Sequence, residues 1–233
     1  MCIAGGRIID FEAGLGNQSG AQRSPARTAA YEPHSHLFFE GDPRTSIHIV
    51  ERGWVKLYRT LIDGQRQVVG FANEGSVLGL ESMADHRNSC EAITEVVTRV
   101  IPVSQFADYL SREPETAVKL LQQLGAQLDA AQAQLVTIGA QSAEQKLASF
   151  LLAMSRQGGG ERADEFDLPM RRGEMAEFLG LRLETISRKM SEFQRRGWIR
   201  MSTMYRCRLL QRGILSHLAE GSESEGAGLT ASI

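Results

Sequence analysis

Three residues set the tightest constraint on how this chain can fold: Ala176, Gly180 and Ile186, within RRGEMAEFLGLRLETISRKMSEFQRRGWI at positions 171–199. A small side chain at 176 lets two helices cross closely. A glycine four residues on supplies the positive φ of a tight turn, and an isoleucine six further on locks the second helix onto the first. Met175, Leu179, Leu181 and Met190 supply the remaining apolar contacts. The spacing predicts a helix-turn-helix, although taken alone it also fits an ordinary helical hairpin.

The outer face of the second helix separates these alternatives. Glu184, Ser187 and Arg188 stand at i, i+3 and i+4, so they project together near its N-terminal half, where a recognition helix meets base edges. Arginine can grip guanine O6 and N7 with its fork, glutamate can accept from cytosine N4, and serine can contact either. These three are the candidate base-reading residues, with Arg182, Thr185, Lys189, Arg206 and Arg208 as candidate phosphate contacts. Residues 182–212 hold nine basic side chains against Glu184 and Glu192, a local balance of +7. A merely solvated surface would mix the signs more evenly. Since the whole chain carries −2, the other 202 residues sum to −9, and the near-neutral total conceals a basic C-terminal head on an acidic body. Double-stranded DNA is the expected partner. Beyond Gly197, Trp198–Ser202 and Tyr205–Leu210 read as two strands around a tight polar turn, the wing of a winged helix.

Upstream, Tyr31 to about Phe106 is cut about every 8 to 12 residues by turn signals such as Arg52-Gly53, Asp63-Gly64 and Asn73-Glu74-Gly75, the pattern of an antiparallel sandwich or barrel. Val55, Leu57 and Leu61 alternate with Lys56, Tyr58 and Arg59 as a half-buried strand entering a hairpin at 61–65. From Ser111 to Gln141 the period becomes helical, with Pro114 in the first turn. Leu121, Leu124, Leu128, Ala131, Leu135 and Ile138 make a heptad seam. At about 1.5 Å per residue this helix is about 40 Å long, which favours a homodimer seam over a helix lying on the barrel. A second helix spans Ala143–Ser155, and Gly158-Gly159-Gly160 leading to Asp167-Leu168-Pro169 reads as the inter-domain joint. The expected division is a mobile arm at 1–30, a β-barrel at 31–110, a dimerisation helix at 111–141, a winged-helix DNA-binding domain at 142–220 and a disordered tail at 221–233.

No run of 18 apolar residues and no signal-peptide pattern occurs, so a cytoplasmic protein without a membrane partner is expected. Cys2, Cys90 and Cys207 form neither CxxC nor a Cys/His metal spacing, and no metal or other cofactor is expected. His34, His36 and His86 invite a haem or metal reading but lack a further ligand. No Ser/His/Asp, paired-carboxylate or P-loop arrangement suggests an enzyme. Cys207 lies between Arg206 and Arg208, whose cations favour the oxidisable thiolate; it is a candidate redox site, the alternative being a small residue filling a strand. Cys90 is expected to be buried and inert.

Barrel, long helix and winged helix, in that order, resemble the CRP/FNR family of bacterial transcription regulators over about residues 31–218. The most specific stretch, Leu179-Gly180-Leu181-Arg182-Leu183-Glu184-Thr185-Ile186-Ser187-Arg188, is similar to the ExxSR motif of the FNR and FixK branch rather than the RExxxR form of the cyclic-AMP receptor branch. The resemblance implies an α+β fold: an N-terminal antiparallel jelly-roll barrel of the cyclic-nucleotide-binding type, a dimerisation helix and a C-terminal winged helix-turn-helix. It further implies a homodimer whose Glu184, Ser187 and Arg188 read TTGAT-type half-sites of a palindrome, contact with RNA polymerase, and activation of genes used under oxygen limitation. Arg182 departs from the usual Thr or Ser helix cap, at a cost of about 1 kcal/mol, and could hold a phosphate instead. Where the cyclic-AMP receptor branch has a GEL motif and an Arg-Ser phosphate clamp, this chain has Gly79-Leu80-Glu81 and Asn88-Ser89, losing the charged partner. FNR's cysteine-bound iron–sulfur cluster has no counterpart here beyond Cys2. FixK-like members, which lack that cluster and are controlled through their own synthesis, fit best. The alternatives are a nitric-oxide or haem-responsive member of the same family and a nucleotide-binding regulatory subunit of an enzyme.

Overall fold

The computed structural model describes residues 26–81, 83–122, 124–125, 141–159 and 164–221. The chain divides into two compact units, Met1–Val136 and Thr137–Ile233.

The first unit is built of eight strands: β1 Arg27–Tyr31, β2 His36–Phe38, β3 Ser46–Arg52, β4 Val55–Thr60, β5 Arg66–Ala72, β6 Val77–Leu78, β7 Ser89–Ala92 and β8 Val96–Pro102. They pair antiparallel in two four-stranded sheets, ordered β1-β8-β3-β6 and β2-β7-β4-β5. Phe38, Val50, Val55, Ala72, Leu78, Cys90, Ala92 and Val96 fill the core. The last residues of the arm expected at 1–30 are in a strand. Arg27–Ala30 belong to β1, where they pair with Arg99, Thr98 and their neighbours in β8 and bury Ala29, while residues 1–25 lie outside the described part.

The hairpin at 61–65 forms as read, with Gly64 at φ 81°, but the alternation in β4 is not the one expected. Val55 is buried in the core with Leu57 packed against it, but Lys56 and Tyr58, on the strand's other face, are buried as well, and Leu61 is exposed. Lys56 tolerates burial because its Nζ pairs with buried Glu91 at 3.1 Å.

Helix α1, Val103–Arg112, follows directly on β8 and corrects a barrel running to Phe106 with its helix starting at Ser111. Pro102 presets the entry at φ −55°, and Phe106 and Tyr109, three residues apart, stack with centroids 6.5 Å apart on one face. Helical residues resume at 114. Of the expected seam, Leu121 and Leu124 are 69% and 42% exposed; Leu128, Ala131, Leu135 and Ile138 lie outside the described residues.

The second unit comprises α2 Ala143–Gly159, β9 Glu165–Asp167, α3 Arg172–Leu179, α4 Leu183–Arg195, β10 Ile199–Thr203, β11 Arg206–Leu209 and α5 Arg212–Ala219. Leu147, Leu151 and Leu215 are buried where α2 lies on α5. This moves the joint expected at Gly158–Pro169: the unit boundary falls between Val136 and Thr137, and the glycine run lies within the second unit. Of the charged segment beyond that run, the described residues 164–167 carry strand β9. Phe166 is fully buried opposite Cys207, making β9 the third strand of a sheet ordered β10-β11-β9.

Candidate DNA interface

The helix-turn-helix is α3 and α4 joined at Gly180. Gly180 adopts φ 63° and ψ 40°, and the Leu181 N–H closes the end of α3 on the Ala176 carbonyl at 3.0 Å. Ala176, Ile186, Met175 and Met190 are all buried at the crossing. A Cβ at 180 would meet nothing within 4 Å, so Gly180→Ala should cost only the left-handed backbone strain, about 1–2 kcal/mol, read as a lower urea midpoint.

On α4 the buried row is Ile186, Met190 and Phe193, which turns Glu184, Ser187 and Arg188 to solvent. None of these three side chains has a hydrogen-bond or ion-pair partner among the described residues. Arg182 caps α4 with its backbone: its carbonyl accepts from the N–H groups of Thr185 and Ile186 at 3.0 and 3.1 Å, while its side chain makes no capping bond. Thr185 is half-buried on the flank. One further residue shares the first turn and was missed in the sequence: Leu183, 48% exposed beside Glu184. The signal was there, since an apolar residue just before the ExxSR motif falls off the buried period.

The +7 cluster is smaller in space than along the chain, because acids outside its window fold back onto it. Lys189 Nζ donates to Glu144 of α2 and to Glu192 at 3.0 Å, and these carboxylates raise its pKa. Arg196 pairs with Glu192, Arg208 with Glu165 at 2.5 Å, and Arg206 with Glu165 and Asp167 at 3.7 and 4.0 Å. Arg182, Arg188 and Arg200 have no acidic partner among the described residues. Arg171 and Arg172, also missed, border a groove of about 440 Å³ between the start of α3 and the wing, together with Thr203, Tyr205, Met201 and Gln194. Partial burial lowers the Arg172 pKa, and its guanidinium donates to Met175 Sδ at 3.6 Å.

Of the two readings of Cys207, its surroundings favour the small residue filling a strand. The side chains of Arg206 and Arg208 alternate to the opposite face, and Cys207 is fully buried between Met201 and Phe166. Burial pushes its thiol up to about 12, against a small lowering by Arg172, so the thiolate needed for oxidation is not formed near neutrality. Cys90 is likewise buried, its pKa raised by burial.

In the barrel, His34 and His36 converge on buried Glu91 at 3.3 and 3.7 Å, where Lys56 also pairs. Both imidazoles thus face this buried carboxylate, and among the described residues no group of three His, Cys, Asp or Glu is placed to hold a metal. Among the described residues, the positions that match the cyclic-AMP receptor branch's nucleotide donors lie beside other protein groups. Glu81 turns to His86 at 3.7 Å, His86 stacks on Phe38 at 3.8 Å, and the Ser89 hydroxyl accepts the Glu40 N–H at 3.0 Å. Position 88 is a neutral asparagine, half-buried.

Comparison with known proteins extends these observations. The Crp-like helix-turn-helix domain profile matches residues 145–218, and the cyclic nucleotide-binding domain profile matches 28–113. The nitrogen fixation regulation protein FixK of Rhizobium meliloti is 35% identical over 176 residues, covering 75% of this chain and 79% of its own. The anaerobic regulatory protein of Haemophilus influenzae is 28% identical over 173 residues, 72% of this chain and 67% of its own. The structure of FixK2 from Bradyrhizobium japonicum matches with a TM-score of 0.73 at 31% identity, covering 83% of this chain and 96% of that one. Among the described residues no helix is long and apolar enough to cross a membrane. The helix-turn-helix is thus a DNA-binding one in a transcription regulator rather than an enzyme, and the chain belongs to the CRP/FNR family, in its FixK-like branch.

Proposed function

We propose that the chain is a cytoplasmic transcription activator that binds a TTGAT-type palindrome as a homodimer and acts under oxygen limitation. The observation that carries this reading is the unpartnered row of Glu184, Ser187 and Arg188 on the exposed face of α4. Arg188 would take guanine O6 and N7, Glu184 the amino group of the cytosine on the other strand, and Ser187 a neighbouring base. Arg182 and Arg200 are free to take phosphates, as are Arg171 and Arg172 beside the groove. Arg206 and Arg208 can join them, because ion pairs this exposed are worth only about 0–1 kcal/mol and exchange readily for a phosphate. Exposure of Leu121 and Leu124 supports a dimer seam, and the fully exposed Ile62 on the β4–β5 hairpin offers an apolar contact for RNA polymerase. The names of the FixK and anaerobic-regulator relatives support the link to oxygen and nitrogen fixation.

Selection of bound duplexes from a random pool, aerobically and anaerobically, tests the reading. A palindrome with two half-sites about one helical turn apart is expected, and recovery of no consensus would refute it. Leu183 gives a second test, since an exposed apolar side chain beside base readers suits a thymine methyl. Replacing one half-site thymine with deoxyuridine removes that methyl alone and should weaken wild-type binding by about 1 kcal/mol, roughly fivefold. Leu183→Ala should be insensitive to the same replacement at every thymine.

A further inference from the structure

One flank of α4 is tied to α2. Thr185, Lys189, Glu192 and Arg196 succeed one another at steps of four, three and four residues, between the buried row and the exposed base-reading row. Lys189 Nζ lies between the carboxylates of Glu144 and Glu192. Glu192 also accepts from Arg196 at 2.5 Å, and the Arg196 guanidinium lies 4.8 Å over the Trp198 ring. Lys189 and Glu144 are 28% and 27% exposed, so solvent screens their pair less than it screens the open ion pairs of the wing.

Glu144 is held where it stands. Ser142 and Gln145 form a capping box at the start of α2: the Ser142 N–H donates to Gln145 Oε1 at 2.6 Å, and the Gln145 N–H donates to Ser142 Oγ at 3.3 Å. An acid in this first turn also suits the helix dipole. Two residues on, Lys146 Nζ donates to the Leu179 carbonyl at the end of α3, 3.4 Å away. The first turn of α2 therefore holds both helices of the helix-turn-helix.

We infer that Glu144 is a positioning residue for base reading: through Lys189 it fixes the roll of α4 about its own axis, and with it the direction in which Glu184, Ser187 and Arg188 project. The apolar contacts of Ile186, Met190 and Phe193 hold α4 against the core but are non-directional. A charge-assisted hydrogen bond off the helix axis supplies the direction. Lys189 then serves this tie and does not neutralise a phosphate. The inference rests on the base-reading role proposed for the exposed row.

The test compares Glu144→Gln, Lys189→Gln and the double exchange Glu144→Lys with Lys189→Glu, which keeps one cation and two carboxylates in the cluster and an opposite-charge pair between α2 and α4. Hydrogen exchange of the α4 amides in DNA-free protein reads the tie itself. Binding to the selected palindrome and to a random duplex, across a salt series, reads its consequence. Each single variant should speed α4 exchange and lower the palindrome-to-random affinity ratio about five- to tenfold, with the salt slope unchanged; the double exchange should restore both. A Lys189→Gln protein that binds all duplexes more weakly and loses about one unit of salt slope would mark Lys189 as a phosphate contact and overturn the inference. Unchanged α4 exchange in both single variants would overturn it as well. A wild type without palindrome preference would refute the base-reading role, while the exchange rates would still decide whether the tie exists.

Discussion

Arg188→Ala should weaken binding to the selected palindrome by about 1–3 kcal/mol, roughly 5- to 150-fold, and should relax the preference at one base pair of each half-site. The effect is expected to be large because Arg188 has no acidic partner among the described residues. Its whole fork is available to a guanine, and no intramolecular ion pair has to be given up when DNA arrives. Arg206→Ala makes the contrast. That side chain already faces Glu165 and Asp167 at 3.7 and 4.0 Å, so its loss should weaken binding to all duplexes alike, by less than Arg188→Ala, and reduce the salt slope by about one. Competition binding against duplexes carrying each base in turn distinguishes the two patterns. An Arg188→Ala protein that bound the palindrome as tightly as the wild type would show that another face of α4 enters the groove.

How far the sequence could be read depended on how local each feature was. Ala176, Gly180 and Ile186 act within eleven positions of one another, and the structure places them at one helix crossing with Gly180 in the left-handed region. The exposed row of α4 follows from the same helical period. What failed involved partners far along the chain. Glu165 stands about forty residues before the arginines it neutralises, and Glu144 stands forty-five before Lys189, so a charge sum over residues 182–212 saw neither. At Cys207 neighbours in a strand point to opposite faces, so the flanking cations say little about the thiol, and burial in the sheet governs it. In β4 the face read as solvated is buried, because Lys56 and Tyr58 meet Glu91 and His36 from distant strands. A partner's distance along the chain thus decides which charges a basic stretch can offer to DNA.

The barrel should lose stability in mild acid because of His48. Its ring is buried beside Phe38, Tyr31 and Thr98, and burial, reinforced by the charges of His86 and Arg27, lowers its pKa to about 4. Burial lowers His86 too, against the opposing pull of Glu81 and Asp42 and with a small contribution from Arg44. In the unfolded chain a histidine takes up its proton near 6.5, so below that pH the unfolded state binds more protons than the folded one. Stability is therefore complete above pH 6.5 and falls as the pH drops toward 4. For His48 alone the loss is about 2 kcal/mol at pH 5 and about 3 kcal/mol at pH 4. The window from pH 6.5 to 5 is the informative one, since it lies above the ordinary titration range of carboxylates. Urea midpoints of the barrel transition across that window should fall steeply in the wild type. His48→Gln cannot take up a proton and should flatten the dependence to the part left by His86 and His36, whose pKa burial also lowers. If both proteins lost stability at the same rate, the proton would be entering elsewhere, and the buried pair of imidazoles flanking Phe38 would have no part in the acid response.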